Sequence, residues 1–147
     1  MWNSLVFVRR LQGRLLRRAL LIAAALTLGC DSPSSPSIAS AAGSYSLVAV
    51  NGAKLPVTVT ASGATLTIES GSIALSPDGA VVSRHTTRAS GAAQGTTTTS
   101  TGTWAIAGAA IGLDMQGNDL AGSLSATFAS GVLTVTVAQG RTERFTK

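Results

Sequence analysis

Cysteine occurs once in the 147 residues, at Cys30, so no disulfide can form within the chain. Histidine also occurs once, at His85. With no second histidine and no second cysteine, the common zinc ligand sets cannot be assembled. Serine is abundant, but no G-x-S-x-G is present, so the nucleophile elbow of hydrolases is missing. Asp114 and Asp119 flank a turn, yet they lack the spacing and the closing Glu of a calcium loop, and both read as turn residues. Glu69, Asp78 and Glu143 stand apart from one another in the sequence. His85, between Arg84 and Thr86, reads as an exposed strand residue. No catalytic residue, no metal and no cofactor is expected, and the chain is not read as an enzyme.

Charge is scarce too, and it is unevenly placed. The formal net charge is +5 and the isoelectric point about 10.7. Five of the eleven cations are Arg9, Arg10, Arg14, Arg17 and Arg18, and no Asp or Glu precedes Asp31. Beyond Cys30, six cations face six acids. The whole positive balance therefore belongs to the first 29 residues. A neutral domain cannot neutralise a row of phosphates, which excludes nucleic acid as a partner.

Aromatic residues beyond Cys30 are limited to Tyr45, Trp104, Phe128 and Phe145. Thr, Ser, Ala, Gly and Val dominate instead. That mix is too apolar for a disordered chain and favours strands. From Gly43 onward, short alternating runs are broken by turn residues. Tyr45, Leu47 and Ala49 share a face before the Asn51-Gly52 turn. Val57 and Val59 mark a second strand; Leu66 with Ile68, then Ile73 with Leu75, mark two more. Ser76-Pro77-Asp78-Gly79 reads as a tight turn. Ala89 to Gly95 reads as a loop, and Thr96 to Thr99 as a strand extension or a mobile stretch. Trp104 and Ile106, then Ile111, Leu113 and Met115, Leu124 with Phe128, Leu133 to Val137, and Phe145 complete the series. Eight or nine strands at a spacing of roughly 8 to 12 residues predict an all-β antiparallel domain. Successive tight hairpins favour an up-and-down meander closed into a barrel over a β-sandwich.

The beginning of the chain has a different character. Ala19 to Leu28 is an unbroken apolar run of ten residues after a basic start. That length suits the helical core of a signal peptide and is too short for a membrane span, which takes about 20 residues. The run ends in Leu26-Thr27-Leu28-Gly29-Cys30, which resembles the lipobox of bacterial lipoproteins. There a small residue precedes an invariant cysteine that carries lipid after cleavage. Thr27 stands where Leu is usual, and Leu28 is bulkier than the common Ala or Ser. The resemblance implies a signal peptide over 1–29, removed on export, with lipidation of Cys30 and a membrane as the first partner. It places the domain outside the cytoplasm, on the cell membrane or the outer membrane. Asp31 resembles the inner-membrane retention signal of enteric bacteria. Residues 30–42, rich in Ser and Pro, read as the lipidated cysteine and a flexible tether, and 43–147 as the domain.

Gly43-Ser-Tyr45-Ser-Leu47, with Asn51-Gly52 after it, resembles the first strand of small lipocalin-like lipoproteins. Gly102-Thr103-Trp104-Ala105-Ile106 followed by Ile111-Gly112-Leu113 is similar to a hairpin of the same proteins. A META-type lipoprotein domain is the other relative the pattern suggests. The first resemblance implies a barrel with an interior that Tyr45 and Trp104 either fill or line around a small apolar ligand. Arg84 and Arg88 share one strand face. They are candidates to meet a ligand carboxylate, as an inward arginine does in fatty-acid-binding barrels, or form an outward solvated pair. Two readings of function follow: a membrane-anchored, non-enzymatic binding module for a small hydrophobic ligand, or an envelope protein that contacts another protein through its β surface.

Overall fold

The computed structural model describes residues 35–61 and 63–147. The signal peptide expected over 1–29, the lipobox-like segment ending in Cys30, and Asp31 lie outside the described residues. No described helix is long and apolar enough to cross a membrane.

A one-turn helix, α1 (Ile38–Ala41), precedes ten strands: β1 (Gly43–Val50), β2 (Ala53–Lys54), β3 (Val57–Ala61), β4 (Ala64–Leu75), β5 (Ala80–Ala89), β6 (Thr96–Ala107), β7 (Ala110–Gly117), β8 (Gly122–Ala129), β9 (Val132–Thr136) and β10 (Thr142–Thr146). A 3₁₀ turn over Ala138–Gly140 joins the last two. Every pairing is antiparallel, and from β4 to β10 each strand pairs with the next in sequence. β1 closes the sheet by pairing with β10 on one edge and β4 on the other. The result is an eight-stranded up-and-down barrel with β2 and β3 as additions. This is the all-β meander the alternation predicts, in one closed sheet rather than a sandwich.

One boundary differs from the sequence reading, and one left open between two readings is decided. Leu66 to Leu75 is not two strands but one, continuous through Ser70-Gly71. A bulge between Ile68 and Ser70 shifts the register there. An extra residue lets a strand bend while keeping its pairing, so a turn-like dipeptide did not end it. Thr96 to Thr99 belong to β6, paired with Arg84 to Thr87.

The inward residues fill the barrel. Tyr45, Val50, Ile73, Leu75, Ile111, Leu113, Met115, Leu120, Leu133, Val135 and Phe145 are all at most 2% exposed. A side chain bordering a space large enough for water would show accessible area, so the interior beside these residues is packed.

One end of the barrel is capped. Ser37 and Ser40 form a capping box around α1, and Ala41 is fully buried. The Tyr45 hydroxyl donates to the Ala41 carbonyl. Its ring meets Phe128 edge to face at 6.3 Å. Lys147 donates to the Ser40 carbonyl at 3.0 Å. Residues 38–41 of the expected tether are therefore helical, with Ala41 packed against the barrel. At the same end, Trp104 donates from its indole N–H to the Ser76 carbonyl at 2.8 Å and from its backbone N–H to Gly79 O at 2.8 Å. Gly79, at φ +91°, takes a conformation the Ser76–Gly79 turn needs and other residues resist. Tyr45→Phe should keep the ring packing and lose the tie to α1. We expect a loss of about 1 kcal/mol and faster hydrogen exchange at the Ala42 amide, which bonds to Ile38 O. Unchanged exchange there would show that α1 docks without the hydroxyl.

Candidate functional site

The opposite end of the barrel, where β1, β7 and β9 finish, holds a cluster of charged residues. Alternation along β5 turns Val81, Ser83 and His85 inward, each at most 2% exposed. On β10 the same rule puts Glu143 beside the core residue Phe145, and both are fully buried. Gly71 faces His85 across the β4–β5 ladder. A Cβ there would lie 2.9 Å from both His85 Cδ2 and Leu47 Cδ2, so only glycine leaves room for the imidazole. Asp119 comes from the segment between β7 and β8. Leu120, fully buried, anchors that segment and donates its backbone N–H to Ser100 Oγ at 3.2 Å. Arg141 follows the 3₁₀ turn, where Gln139 adopts a φ of 65°.

These elements bring four charged side chains together. His85 Nδ1 lies 2.7 Å from Asp119 Oδ2, and Nε2 lies 3.1 Å from Glu143 Oε2. Arg141 Nη2 lies 2.9 Å from Glu143 Oε1 and 4.0 Å from Asp119 Oδ1. The imidazole also packs edge to face on Phe145 at 6.3 Å. With a carboxylate at each ring nitrogen, only the imidazolium supplies two N–H donors. Burial pushes the His85 pKa down, but the two carboxylates outweigh it and raise the pKa to about 9. Burial pushes Asp119 up, and the contact with His85 outweighs that, leaving it below its ordinary value. Two cations and two anions thus cancel. Asp119 Oδ2 and Glu143 Oε1 sit within ion-pair distance of a cation yet lack an aligned hydrogen bond. Arg141 Nε is buried without any hydrogen-bond partner among the described residues.

Beside the cluster runs a cleft of about 420 Å³, lined by Asn51, Thr58, Val59, Thr60, Gln139 and Arg141 among others. Arg141, 20% exposed, borders both the cleft and the buried acids. Asn51 fixes one wall, accepting from the Thr142 N–H at 2.8 Å and donating its own N–H to Thr142 O at 2.8 Å.

The residues proposed from sequence do not make one site. Tyr45 and Trp104 lie inside, at the capped end, where they pack and tie down neighbouring backbone. Trp104 also borders a shallow outer groove of about 520 Å³ with Gly79, Thr103, Ala105 and Gly112. Arg84 is exposed, because β5 spends its inward positions on Ser83 and His85. Arg88 shares the outward parity of Arg84 and pairs with Glu69 at 2.6 Å. Both partners are over 30% exposed, so solvent screens that pair to less than about 1 kcal/mol. The inward-arginine alternative is thereby replaced by the outward one. His85, read as exposed, is buried and doubly paired. Asp119, read as a turn residue, is its partner, and Glu143, read as isolated, is the other. The missed signal was the strand period itself: Val81 and His85 share a parity, as do Glu143 and Phe145.

Among the described residues, no group of three His, Cys, Asp or Glu side chains has the geometry to hold a metal ion. Compared with known proteins, the chain matches no family model and no curated protein.

Proposed function

We propose that this chain is a membrane-anchored envelope lipoprotein whose barrel serves as a non-enzymatic interaction module. Lipid on Cys30 holds it to the membrane, and its outer surface and mouth meet another protein. One observation carries the choice between the two readings: the packed interior. A carrier for a small apolar molecule needs interior space, whereas here the inward aliphatic and aromatic side chains occupy it. The polar cluster supports the same choice. Its charges cancel one another inside the barrel, and His85 and Glu143 are closed to solvent. Neither offers a reactive group to a substrate.

A fluorescent fatty acid and native mass spectrometry over a lipid panel should show no bound ligand. Stoichiometric binding would return the small-ligand reading to first place. In cells, a photocrosslinker placed at outward Thr101 should capture a discrete envelope protein. For the anchor, mass spectrometry of the mature N-terminus should find acyl chains on Cys30. A free thiol at that position, or cleavage elsewhere, overturns the lipoprotein reading.

A further inference from the structure

We propose that the cleft between β3 and the Ala138–Gly140 turn accepts an extended peptide that carries a carboxylate, pairing backbone to backbone with β3. This rests on the interaction-module reading and names the site and the chemistry of the partner.

β3 has one edge open along its whole length. It pairs with β4 through Val57–Ala61 and ends the sheet order. In an antiparallel pair only alternate residues turn their N–H and C=O groups to the neighbour, so the rest of β3 points the other way. Among the described residues, no backbone or side-chain group outside that ladder bonds to the backbone of residues 57–60. Thr58, Val59 and Thr60 all line the cleft. Consecutive residues point to opposite faces of a strand, so a cleft touching all three borders the edge of the strand rather than one face. Other strands also have stretches paired on one side only, such as Thr96–Thr99 of β6, but among the described residues the open edge that borders this cleft is that of β3. Only an extended chain presents groups at the matching repeat. Five residues of β3 span about 16 Å, enough for four or five residues of a partner.

The charge of the cleft selects among extended chains. Among the described residues, Arg141 is the only charged one lining it and no acid does. Glu143 and Asp119 engage only Nη2 of the guanidinium. Nε is closed to solvent, so what the cleft meets is the exposed fifth of the Arg141 side chain. A carboxylate, at the end of a peptide or on an Asp or Glu, complements that exposed cation through a charge-assisted contact. An amine or a guanidinium does not.

The test uses the full chain in detergent micelles and a random heptapeptide library with free carboxyl termini. Selected peptides are then made in three forms: unchanged, amidated at the C-terminus with acidic side chains replaced by amides, and N-methylated at alternate residues. The neutralised form should bind about tenfold more weakly, the loss of one charge-assisted bond. One phase of N-methylation should abolish binding and the other should be tolerated, since only alternate N–H groups face β3. Bound peptide should slow hydrogen exchange within residues 57–60. Indifference to both modifications overturns the proposal. Protection elsewhere on the barrel overturns the cleft but leaves the interaction-module reading standing. If no peptide is enriched, the cleft proposal fails, while the crosslinking from Thr101 reports separately on the broader reading. Concentration-dependent dimers with protection at β3 would make a second copy the occupant and also overturn it.

Discussion

Replacing Glu143 with Leu should destabilise the domain by about 3–5 kcal/mol, the cost of leaving buried charge unmatched. Glu143 is fully buried and contacts both cations, His85 at 3.1 Å and Arg141 at 2.9 Å. Removing it leaves two cations against Asp119 alone. His85→Leu errs in the other direction, leaving Arg141 with two acids. The double variant His85→Leu/Glu143→Leu is the informative one. It leaves Arg141 and Asp119, a neutral pair already 4.0 Å apart and each 20% exposed. Its loss should therefore be much smaller than the sum of the singles, with a coupling of about 2–3 kcal/mol. Denaturant midpoints at neutral pH for the four proteins of the cycle measure this. Additive losses would show that the four groups are neighbours without shared electrostatics.

The second large effect is on the alkaline side. His85 has a folded pKa of about 9 against an ordinary 6.5. Below 6.5 both folded and unfolded chains hold the proton, and the stabilisation from the cluster is complete. Between 6.5 and 9 the folded chain keeps a proton that the unfolded chain has released, so stability falls as pH rises. Above 9 that contribution is gone. The difference amounts to roughly 3 kcal/mol. Asp119 works in the opposite sense. Its lowered pKa stabilises the fold above its ordinary 3.8 and is lost as pH falls through the folded value. Stability should therefore be greatest between about pH 4 and 6.5 and decline toward 9. Since His85 is the only histidine, the step has a single imidazole source. NMR titration of its ring nitrogens together with denaturant midpoints at pH 6 and 9.5 checks it. A ring that titrates near 6.5 with no change in midpoint would remove the effect.

Much of the fold was legible because strand alternation and turn chemistry are local. Tyr45-x-Leu47, Asn51-Gly52 and Ser76-Pro77-Asp78-Gly79 each announce their geometry within a few residues. The bulge at Ile68–Ser70 was not legible, since Ser70-Gly71 has the composition of a turn and only the pairing with β5 shows otherwise. The charged cluster was hidden for a different reason. His85 and Glu143 are 58 positions apart and meet only after the sheet closes. The usual preference of each side chain for water opposes the inward position that its parity gives it. Charged residues at inward positions are rare, so preference outweighed pattern, and at these two positions pattern was the better guide. Tyr45 and Trp104 were legible as interior residues. Their hydrogen bonds to Ala41 and Ser76 were not, because backbone acceptors leave no mark in side-chain composition.

Closure of the barrel rests on β1 meeting β10, with Ser46 opposite Thr146. A chain made from its N-terminus must therefore hold β1 unpaired on that edge until β10 exists. During synthesis there is no shorter closed form to fall into. The hairpins can form one after another, but the cooperative step waits for β10, and such long-range pairing folds slowly. The nascent domain stays open and threadable until β10 arrives, and loss of β10 would remove the seam between β1 and β9.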